Sequence, residues 1–138
     1  MDSRKIMPSS KIYLGNSKIA KAGRGVFTKK PIKKGEIVET CPVLTLPRQD
    51  YNTVKKTILH NYYFMWGKVT CGICLGFGSL YNHSYNPNAT YKKNIQGGMI
   101  KFVEIKDIKK DEEISVNYNY GDPDNKKELW IKEIKQIF

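Results

Sequence analysis

Short apolar runs, separated by Gly, Pro and Asn, recur along most of this chain. Several of them alternate apolar and polar residues with a period of two, which is typical of a half-buried strand. The pattern predicts strands at residues 11–14, 25–28, 36–40, 43–46, 89–93, 99–105 and 113–117. No low-complexity linker divides them, so the sequence predicts one β-rich domain.

Helical spacing is confined to two stretches. Residues 50–59 begin with Asp50, a residue type that caps helices. Their apolar residues at helical intervals are Val54, Ile58 and Leu59. After the Asp-Pro breaker at 122–123, the tail of residues 124–138 repeats this spacing, and we predict a helix that docks on the domain.

The length and composition narrow the class of protein. A chain of 138 residues predicts a single domain, residues 1–138, with a core at about 12–121 and a tail at 122–138. No run of eighteen apolar residues and no apolar signal-peptide core occurs, so we expect no membrane association. We expect a cytoplasmic location, or the host nucleus if the protein is a viral or secreted effector. Three cysteines, an odd number, also fit a reducing compartment.

The net charge of +11 would ordinarily indicate an acidic partner such as nucleic acid. However, 21 of the 24 basic residues are Lys, whereas bidentate recognition of phosphates and bases favours Arg. A solvated lysine surface is therefore favoured over a dedicated nucleic-acid face, which stays the alternative.

Two polar runs carry the most chemical information. The first, residues 82–88, places an amide, an imidazole and a hydroxyl side by side and closes on Asn-Pro-Asn. We predict a sharply turning polar loop there, rather than a strand or a helix. The second run, residues 113–118, has the period of a strand and ends at Tyr118, where the chain must turn. Together the two runs predict one site built from two segments.

With Gly23-Arg24-Gly25 near the N-terminus and Leu129-Trp130 in the tail, these runs resemble the SET-domain protein-lysine methyltransferases. The family carries an Asn-His-Ser-x-x-Pro-Asn loop and a Glu-Leu-x-x-(Asp/Asn)-Tyr strand, tied through each other in a pseudoknot. The resemblance covers residues 12–130 and implies a β-rich α+β fold with small curled sheets, short helices and a C-terminal pseudoknot. It also implies S-adenosyl-L-methionine as cofactor and a protein lysine as methyl acceptor.

The resemblance also implies roles for individual residues. Tyr118 is the expected catalytic residue, with its hydroxyl against the transferring methyl group. The expected cofactor-binding residues are Gly23, Arg24, Gly25, Asn82, His83, Tyr118 and Trp130. The expected lining of the lysine channel is Tyr81, Val116 and Tyr120.

Five of these residues have a plainer alternative. Tyr118 and Trp130 are also explained as aromatic residues of a core, and His83 as a hydrogen-bonded loop histidine. Gly23 and Gly25 would let the backbone approach the cofactor, but they are also typical of a hairpin turn.

The chain departs from many eukaryotic members of the family. Their cysteine-rich zinc segments are missing, and Tyr85 and Asn117 stand where they commonly have Cys and Asp. A lone Cys71-Gly72-Ile73-Cys74 is weak evidence for zinc, which usually takes two close pairs, so we predict no bound metal. The chain therefore resembles the minimal bacterial and viral members.

The predicted substrate is an exposed protein lysine, with a histone tail as one candidate. A chain of charge +11 repels a free basic tail. Either the channel mouth is locally acidic, with Glu36, Glu39 and Glu104 as contributors, or the substrate lies in an acidic or DNA-bound context. Two rivals stay open: a catalytically inactive SET-like module that binds nucleic acid or protein, and an interaction protein, for example a homodimer, assembled through the tail.

Overall fold

A computed structural model describes residues 5–68 and 70–129 of the chain. Within those residues, short strands form two sheets, in the orders β1-β2-β9-β6 and β4-β5-β3-β8-β7. The strands are β1 (Ile12–Asn16), β2 (Arg24–Thr28), β3 (Ile37–Leu46), β4 (Phe64–Met65), β5 (Cys71–Cys74), β6 (Asn82–His83), β7 (Ala89–Asn94), β8 (Met99–Glu104) and β9 (Glu113–Val116).

The first sheet is built on an antiparallel hairpin of β1 and β2, which then pairs with β9. Val26 of β2 lies opposite Ile114 of β9, and both side chains are fully buried. They belong to one apolar cluster with Ile100 and Phe102 of β8 in the second sheet. This shared core fixes the two sheets against each other.

The second sheet is organised around the ten-residue strand β3. Residues 37–42 of this strand pair with β8, and residues 43–46 pair with β5. The prediction of two separate strands here is wrong, because the chain continues straight through Pro42. The missing N–H of Pro42 is tolerated because it lies where β3 changes its partner strand.

The C-terminal half of the chain is tied into a knot by β6 and β9. β6 runs parallel to β9, with Asn82 opposite Ser115 and His83 opposite Val116. The N–H of Ser84 continues the ladder by donating to the Val116 carbonyl at 3.0 Å. The prediction of a pure loop at 82–88 is therefore wrong at its first two residues. A two-residue strand has no periodicity of its own, and its partner is distant in sequence.

Helical structure is scarce in residues 5–68 and 70–129, as predicted, but its bounds differ. Helix α1 is Arg48–Val54, and 3₁₀ helices are formed by Ile58–Asn61 and Gly78–Leu80. The predicted helix over 50–59 is interrupted because the Thr57 hydroxyl accepts from the Leu59 N–H and starts a new turn. No helix of the described residues is long and apolar enough to cross a membrane.

The tail also differs from its prediction. Residues 124–129 are not helical; the Asn125 N–H donates to the Asp122 carbonyl, and residues 125–129 have no regular secondary structure. The helix predicted for 124–138 is thus wrong for its first six residues. The rest of that prediction, from Trp130 onward, lies outside the described residues.

Candidate active site

Tyr118 follows β9 directly and is held at both its backbone and its hydroxyl. Its backbone N–H donates to Nδ1 of His83 at 3.0 Å, and its hydroxyl donates to the Tyr81 carbonyl at 2.7 Å. Burial raises the pKa of the phenol above its usual value, so the hydroxyl stays protonated. The phenol oxygen keeps lone pairs that can accept a further hydrogen bond.

His83 is a fixed neutral imidazole. Because Nδ1 accepts from the Tyr118 N–H, the neutral ring carries its proton on Nε2. Burial lowers the pKa of His83, which favours this uncharged form. The ring meets Tyr85 edge-on, with centroids 4.4 Å apart, and lies 5.2 Å from the Tyr118 ring. Nε2 is buried and has no hydrogen-bond partner among residues 5–68 and 70–129.

The Asn82 side chain ties three segments of the site together. Its amide nitrogen donates to the Arg24 carbonyl at 2.9 Å and to Oε2 of Glu113 at 2.8 Å. The other oxygen of Glu113 accepts from the Ser17 hydroxyl at 2.7 Å. Both amide hydrogens of Asn82 are therefore used inside the protein, so this side chain positions the Arg24 segment and cannot donate to a ligand as well.

Asn88, the last residue of the polar run, anchors the loop on β9. Its side-chain nitrogen donates to the Glu113 carbonyl, and its side-chain oxygen accepts from the Ser115 N–H, both at 2.9 Å. The side-chain amide of Asn88 therefore binds the backbone of β9 as a neighbouring strand would. Sequence reasoning gave no role to Asn88, Glu113 or Ser17, although Asn88 and Glu113 are part of the two polar runs.

Gly23 and Gly25 were both predicted to bind the cofactor, and the structure requires glycine at the two positions for different reasons. Gly23 has a φ of 79°, a conformation that favours glycine, and its carbonyl accepts from the Ser17 N–H. At Gly25, an added Cβ would lie 2.4 Å from Oε2 of Glu113 and 3.0 Å from the Asn82 nitrogen. The space beside Gly25 is therefore filled by the protein's own polar network.

An aromatic cavity of about 150 Å³ opens beside Tyr118. All three residues predicted for the lysine channel line it, and they are Tyr81, Val116 and Tyr120. The rest of its lining runs from the end of the first 3₁₀ helix through β4 and includes the second 3₁₀ helix and β7, namely Asn61, Tyr62, Tyr63, Phe64, Met65, Gly78, Ser79, Tyr91 and Lys93. Tyr91 and Lys93 were missed, although a spacing of two along a strand puts them on one face.

The expectation of an acidic channel mouth is wrong for the described residues. Glu36 pairs with the Lys11 ammonium at 3.2 Å. Glu39 is buried and accepts from the Tyr81 hydroxyl at 2.9 Å, and Glu104 is 1% exposed inside the core. No carboxylate lines the cavity within the described residues, and the charged side chain that does is Lys93.

This geometry agrees with a match to a family model. The model for the SET domain matches residues 23–119, which include both polar runs up to Tyr118. The chain belongs to the SET-domain family. The membership confirms the prediction of a SET-domain protein-lysine methyltransferase with a β-rich fold. The more specific bacterial or viral type stays a prediction.

Two curated relatives share the SET domain with this chain. A histone-lysine N-methyltransferase of Schizosaccharomyces pombe, described as H3 lysine-37 specific, is 33% identical over 112 residues, which cover 80% of this chain and 71% of that protein. A variant-silencing SET domain-containing protein of Plasmodium falciparum is 29% identical over 120 residues, which cover 75% of this chain but 5% of the relative.

Solved structures show the same fold. A Plasmodium falciparum protein named as a candidate histone methyltransferase is 32% identical, with a TM-score of 0.60 over 79% of this chain and 97% of that one. The Polycomb Repressive Complex 2 of Chaetomium thermophilum, bound to S-adenosylmethionine, gives a TM-score of 0.69 at 23% identity, over 83% of this chain and 16% of that one. At that identity the likeness is one of fold.

The tail of the SET domain is tied to the knot by side-chain amides. Nδ2 of Asn117 donates to the Asn125 carbonyl at 2.6 Å, and Nδ2 of Asn119 donates to the Lys127 carbonyl at 2.8 Å. The Tyr85 hydroxyl donates to the same Lys127 carbonyl at 2.8 Å. The tail therefore contacts Tyr85, whose ring lies against His83, and Trp130 itself lies outside the described residues.

Cys71 and Cys74 are buried with Cys41, and all three thiols are free. Burial raises the pKa of Cys71, which disfavours the thiolate that metals bind. Within the described residues no group of three or more His, Cys, Asp or Glu side chains could hold a metal ion. The absence of zinc from the protein stays a prediction.

Proposed function

We propose that this SET domain transfers a methyl group from S-adenosylmethionine to the side-chain amine of a protein lysine, and that the lysine belongs to a histone. The observation that carries the proposal is the position of Tyr118. The parallel pairing of β6 with β9 puts its hydroxyl at the wall of an aromatic cavity and its backbone against His83.

The residues around His83 fit the cofactor that this family uses. The buried Nε2–H of His83 is a donor that lacks a partner among the described residues, so it is available to a bound ligand. The Asn82 side chain binds the Arg24 carbonyl, and the Tyr118 N–H binds His83. We propose that Arg24, Tyr118 and the backbone of Asn82 hold S-adenosylmethionine together with His83, Gly23, Gly25 and Trp130. When bound, S-adenosylmethionine supplies a methyl group activated by its sulfonium charge.

We assign Tyr118 the role of an acceptor rather than a base. Its hydroxyl hydrogen is used by the Tyr81 carbonyl, and its raised pKa keeps the phenol neutral. The lone pairs of its oxygen are then available to an N–H of the incoming amine, which orients the nitrogen for in-line attack. A lysine must lose its proton before it can attack, and removal from water favours the uncharged form. The aromatic cavity removes the lysine amine from water.

A histone is the favoured substrate because the relative from Schizosaccharomyces pombe is described as a histone-lysine methyltransferase. The net charge of +11 adds a condition to this choice. Free histone tails are basic and are repelled at long range, whereas a tail on DNA presents a field of the opposite sign. We therefore expect nucleosomes to be better substrates than free tail peptides.

The test is incubation with labelled S-adenosylmethionine and four acceptors: free histone H3, an H3 tail peptide, a histone octamer and nucleosomes. Label on a lysine supports the proposal. Tyr118→Phe should lower the rate at least about tenfold because it removes one placed hydroxyl. Tyr62→Phe, which removes a hydroxyl from another residue of the cavity lining, should change the rate less than about threefold.

Two results would overturn the proposal. The first is the absence of label on every acceptor, which would favour the inactive binding module. The second is an unchanged rate in Tyr118→Phe, which would remove this hydroxyl from the mechanism. Circular dichroism and thermal melting of each variant separate a loss of chemistry from a loss of fold.

A further inference from the structure

Lys93 brings a basic amine into the cavity that is proposed to receive the substrate lysine. Ala89, Tyr91 and Lys93 alternate along β7, and the last two face the cavity. The Lys93 ammonium donates to the Met65 carbonyl at 2.6 Å, and its nitrogen lies 5.6 Å from the centre of the Tyr120 ring. The carbonyl and the π face both stabilise a positive charge at this position.

Nothing else in the described lining balances that charge. The other titratable groups that face Lys93 are phenols, contributed by the first 3₁₀ region, β7 and the segments that flank β6 and β9: Tyr62, Tyr63, Tyr81, Tyr91, Tyr118 and Tyr120. Burial raises the pKa of Tyr63, Tyr91 and Tyr118, so these phenols remain neutral. Burial also lowers the pKa of Lys93 itself, although its two contacts favour the ammonium.

We propose that Lys93 is a specificity-determining residue whose positive charge makes the cavity select an uncharged amine over an ammonium. The inference rests on the proposed function, because it concerns how the substrate lysine enters the same cavity. Without Lys93, a cavity lined by tyrosines would attract ammonium and methylammonium groups through their π faces. A resident cation opposes that attraction and shifts an incoming lysine toward the neutral form that can attack a methyl group.

A binding experiment tests this selectivity without any methyl transfer. Butylammonium and 1-butanol have the same number of heavy atoms and differ in charge, and tetramethylammonium is charged at every pH. Titration of each compound at pH 7.5, followed by NMR signals of the cavity tyrosines, gives three affinities for each protein. Lys93→Met should bind butylammonium and tetramethylammonium at least about tenfold more tightly than the unmodified protein, while 1-butanol should change less than about twofold.

Two variants control for general effects. Lys92→Met removes the charge of an exposed neighbour on the other face of β7 and should change none of the three affinities. Lys93→Arg keeps a cation and should retain the preference for 1-butanol. If Lys93→Met bound the two cations no better than the unmodified protein does, the inference would be wrong.

The pH profile of methylation gives a second readout. The acid limb of kcat for histone methylation should move up by about one pH unit in Lys93→Met, because the substrate amine then loses its proton at a higher pH. Lys93→Arg should leave that limb in place. If no variant labels any lysine, the proposed function fails, but the binding titrations still decide the role of Lys93. Label with an unshifted acid limb in Lys93→Met supports the function and overturns the inference.

Discussion

Each of the two sheets holds a glutamate whose side chain points away from bulk solvent, and the two carboxyl groups have opposite surroundings. Glu113 of β9 accepts from the Ser17 hydroxyl at one oxygen and from the Asn82 amide at the other. Glu104 of β8 is also sequestered, but neither of its oxygens has a hydrogen-bond partner among residues 5–68 and 70–129. One carboxyl group organises the site and the other is isolated in the core.

The difference shows in the acid–base behaviour of Glu104. Burial, with a smaller contribution from the charge of Glu112, raises the pKa of its carboxyl group to about 8. At neutral pH the side chain is therefore mainly a protonated acid, since an unpaired buried carboxylate is costly. A sequestered carboxyl group stabilises this protein where hydrogen-bond donors face it, as around Glu113. It opposes folding where no donor faces it, as at Glu104.

The largest expected effect comes from Glu104→Gln, which removes the ionisable group and keeps its shape. A carboxyl group whose pKa is raised in the folded state destabilises the protein as pH rises from about 4.5 to about 8, because the unfolded chain releases the proton first. The unmodified protein should lose up to about 4 kcal/mol across this range relative to the variant. Urea unfolding at pH 5, 6.5 and 8 measures the difference.

Glu36 supplies a control of opposite sign. A hydrogen bond from the Lys33 N–H, followed by one from Lys11, lowers the pKa of Glu36. Its contribution to stability is therefore present above the pKa of the unfolded chain and is lost as pH falls. Glu36→Gln should differ from the unmodified protein at neutral pH and converge with it in acid, whereas Glu104→Gln should diverge as pH rises. Parallel curves for Glu104→Gln and the unmodified protein would show that Glu104 is not buried as described.

The contrast also shows what the sequence could and could not reveal. The site around Tyr118 could be predicted because its residues lie in two continuous runs whose order and spacing are typical of the family. Glu104 was predicted at the channel mouth, yet its spacing from Ile100 and Phe102 along β8 puts it on their buried face. Applying the period of two to each charged residue would have corrected this prediction.

Other features depend on partners that are distant in sequence. The pairing of β6 with β9 joins segments whose local patterns carry no information about each other. Much of the cavity lining comes from residues 61–65, which run from the last residue of a 3₁₀ helix into β4 and have no strong period. The tail was predicted as a helix from its apolar spacing, but Asn117 and Asn119 bind the carbonyl groups of Asn125 and Lys127 in its first part, which is not helical. Tertiary hydrogen bonds override local helical preference there.

A smaller effect is expected from Glu113→Gln, which tests the organised carboxylate. The new amide can place its oxygen toward Asn82, but its NH₂ group then replaces the oxygen that accepts from the Ser17 hydroxyl, so this hydroxyl loses its acceptor. The loss of charge-assisted hydrogen bonds should cost about 1 to 2 kcal/mol of the free energy of unfolding. Because the Asn82 contact also positions Arg24, calorimetry should show weaker S-adenosylmethionine binding.

Glu112→Gln is the matched control for that variant, because Glu112 is the exposed neighbour of Glu113. It should change cofactor affinity less than about twofold, since a surface hydrogen bond contributes little. Equal affinities for Glu113→Gln and Glu112→Gln would mean that the network around Glu113 supports the fold without positioning the cofactor site.

The smallest change in overall stability is expected from Asn117→Asp, which introduces a carboxylate where the protein has an amide donor. Asn117 is fully buried; its oxygen accepts from the Asn119 N–H at 2.9 Å, and its nitrogen donates to the Asn125 carbonyl. Asp keeps the first contact but turns an oxygen toward that carbonyl, and the two acceptors repel each other. The tail can relieve the repulsion by detaching, which limits the loss of global stability to about 1 kcal/mol.

Hydrogen exchange of the tail distinguishes detachment from global unfolding. Backbone amides of residues 124–129 should exchange faster in Asn117→Asp, while those of β2, β8 and β9 keep their protection. Asn125→Asp is the control, because the side-chain oxygen that accepts from the Lys127 N–H is retained and the Asn125 carbonyl is untouched. If both variants left the tail protected, the amide of Asn117 would not be what holds it. If only Asn117→Asp released the tail, the new carboxylate at position 117 would behave as Glu113 and Glu104 do. The effect of a buried carboxylate on stability would again depend on whether a donor or an acceptor faces it.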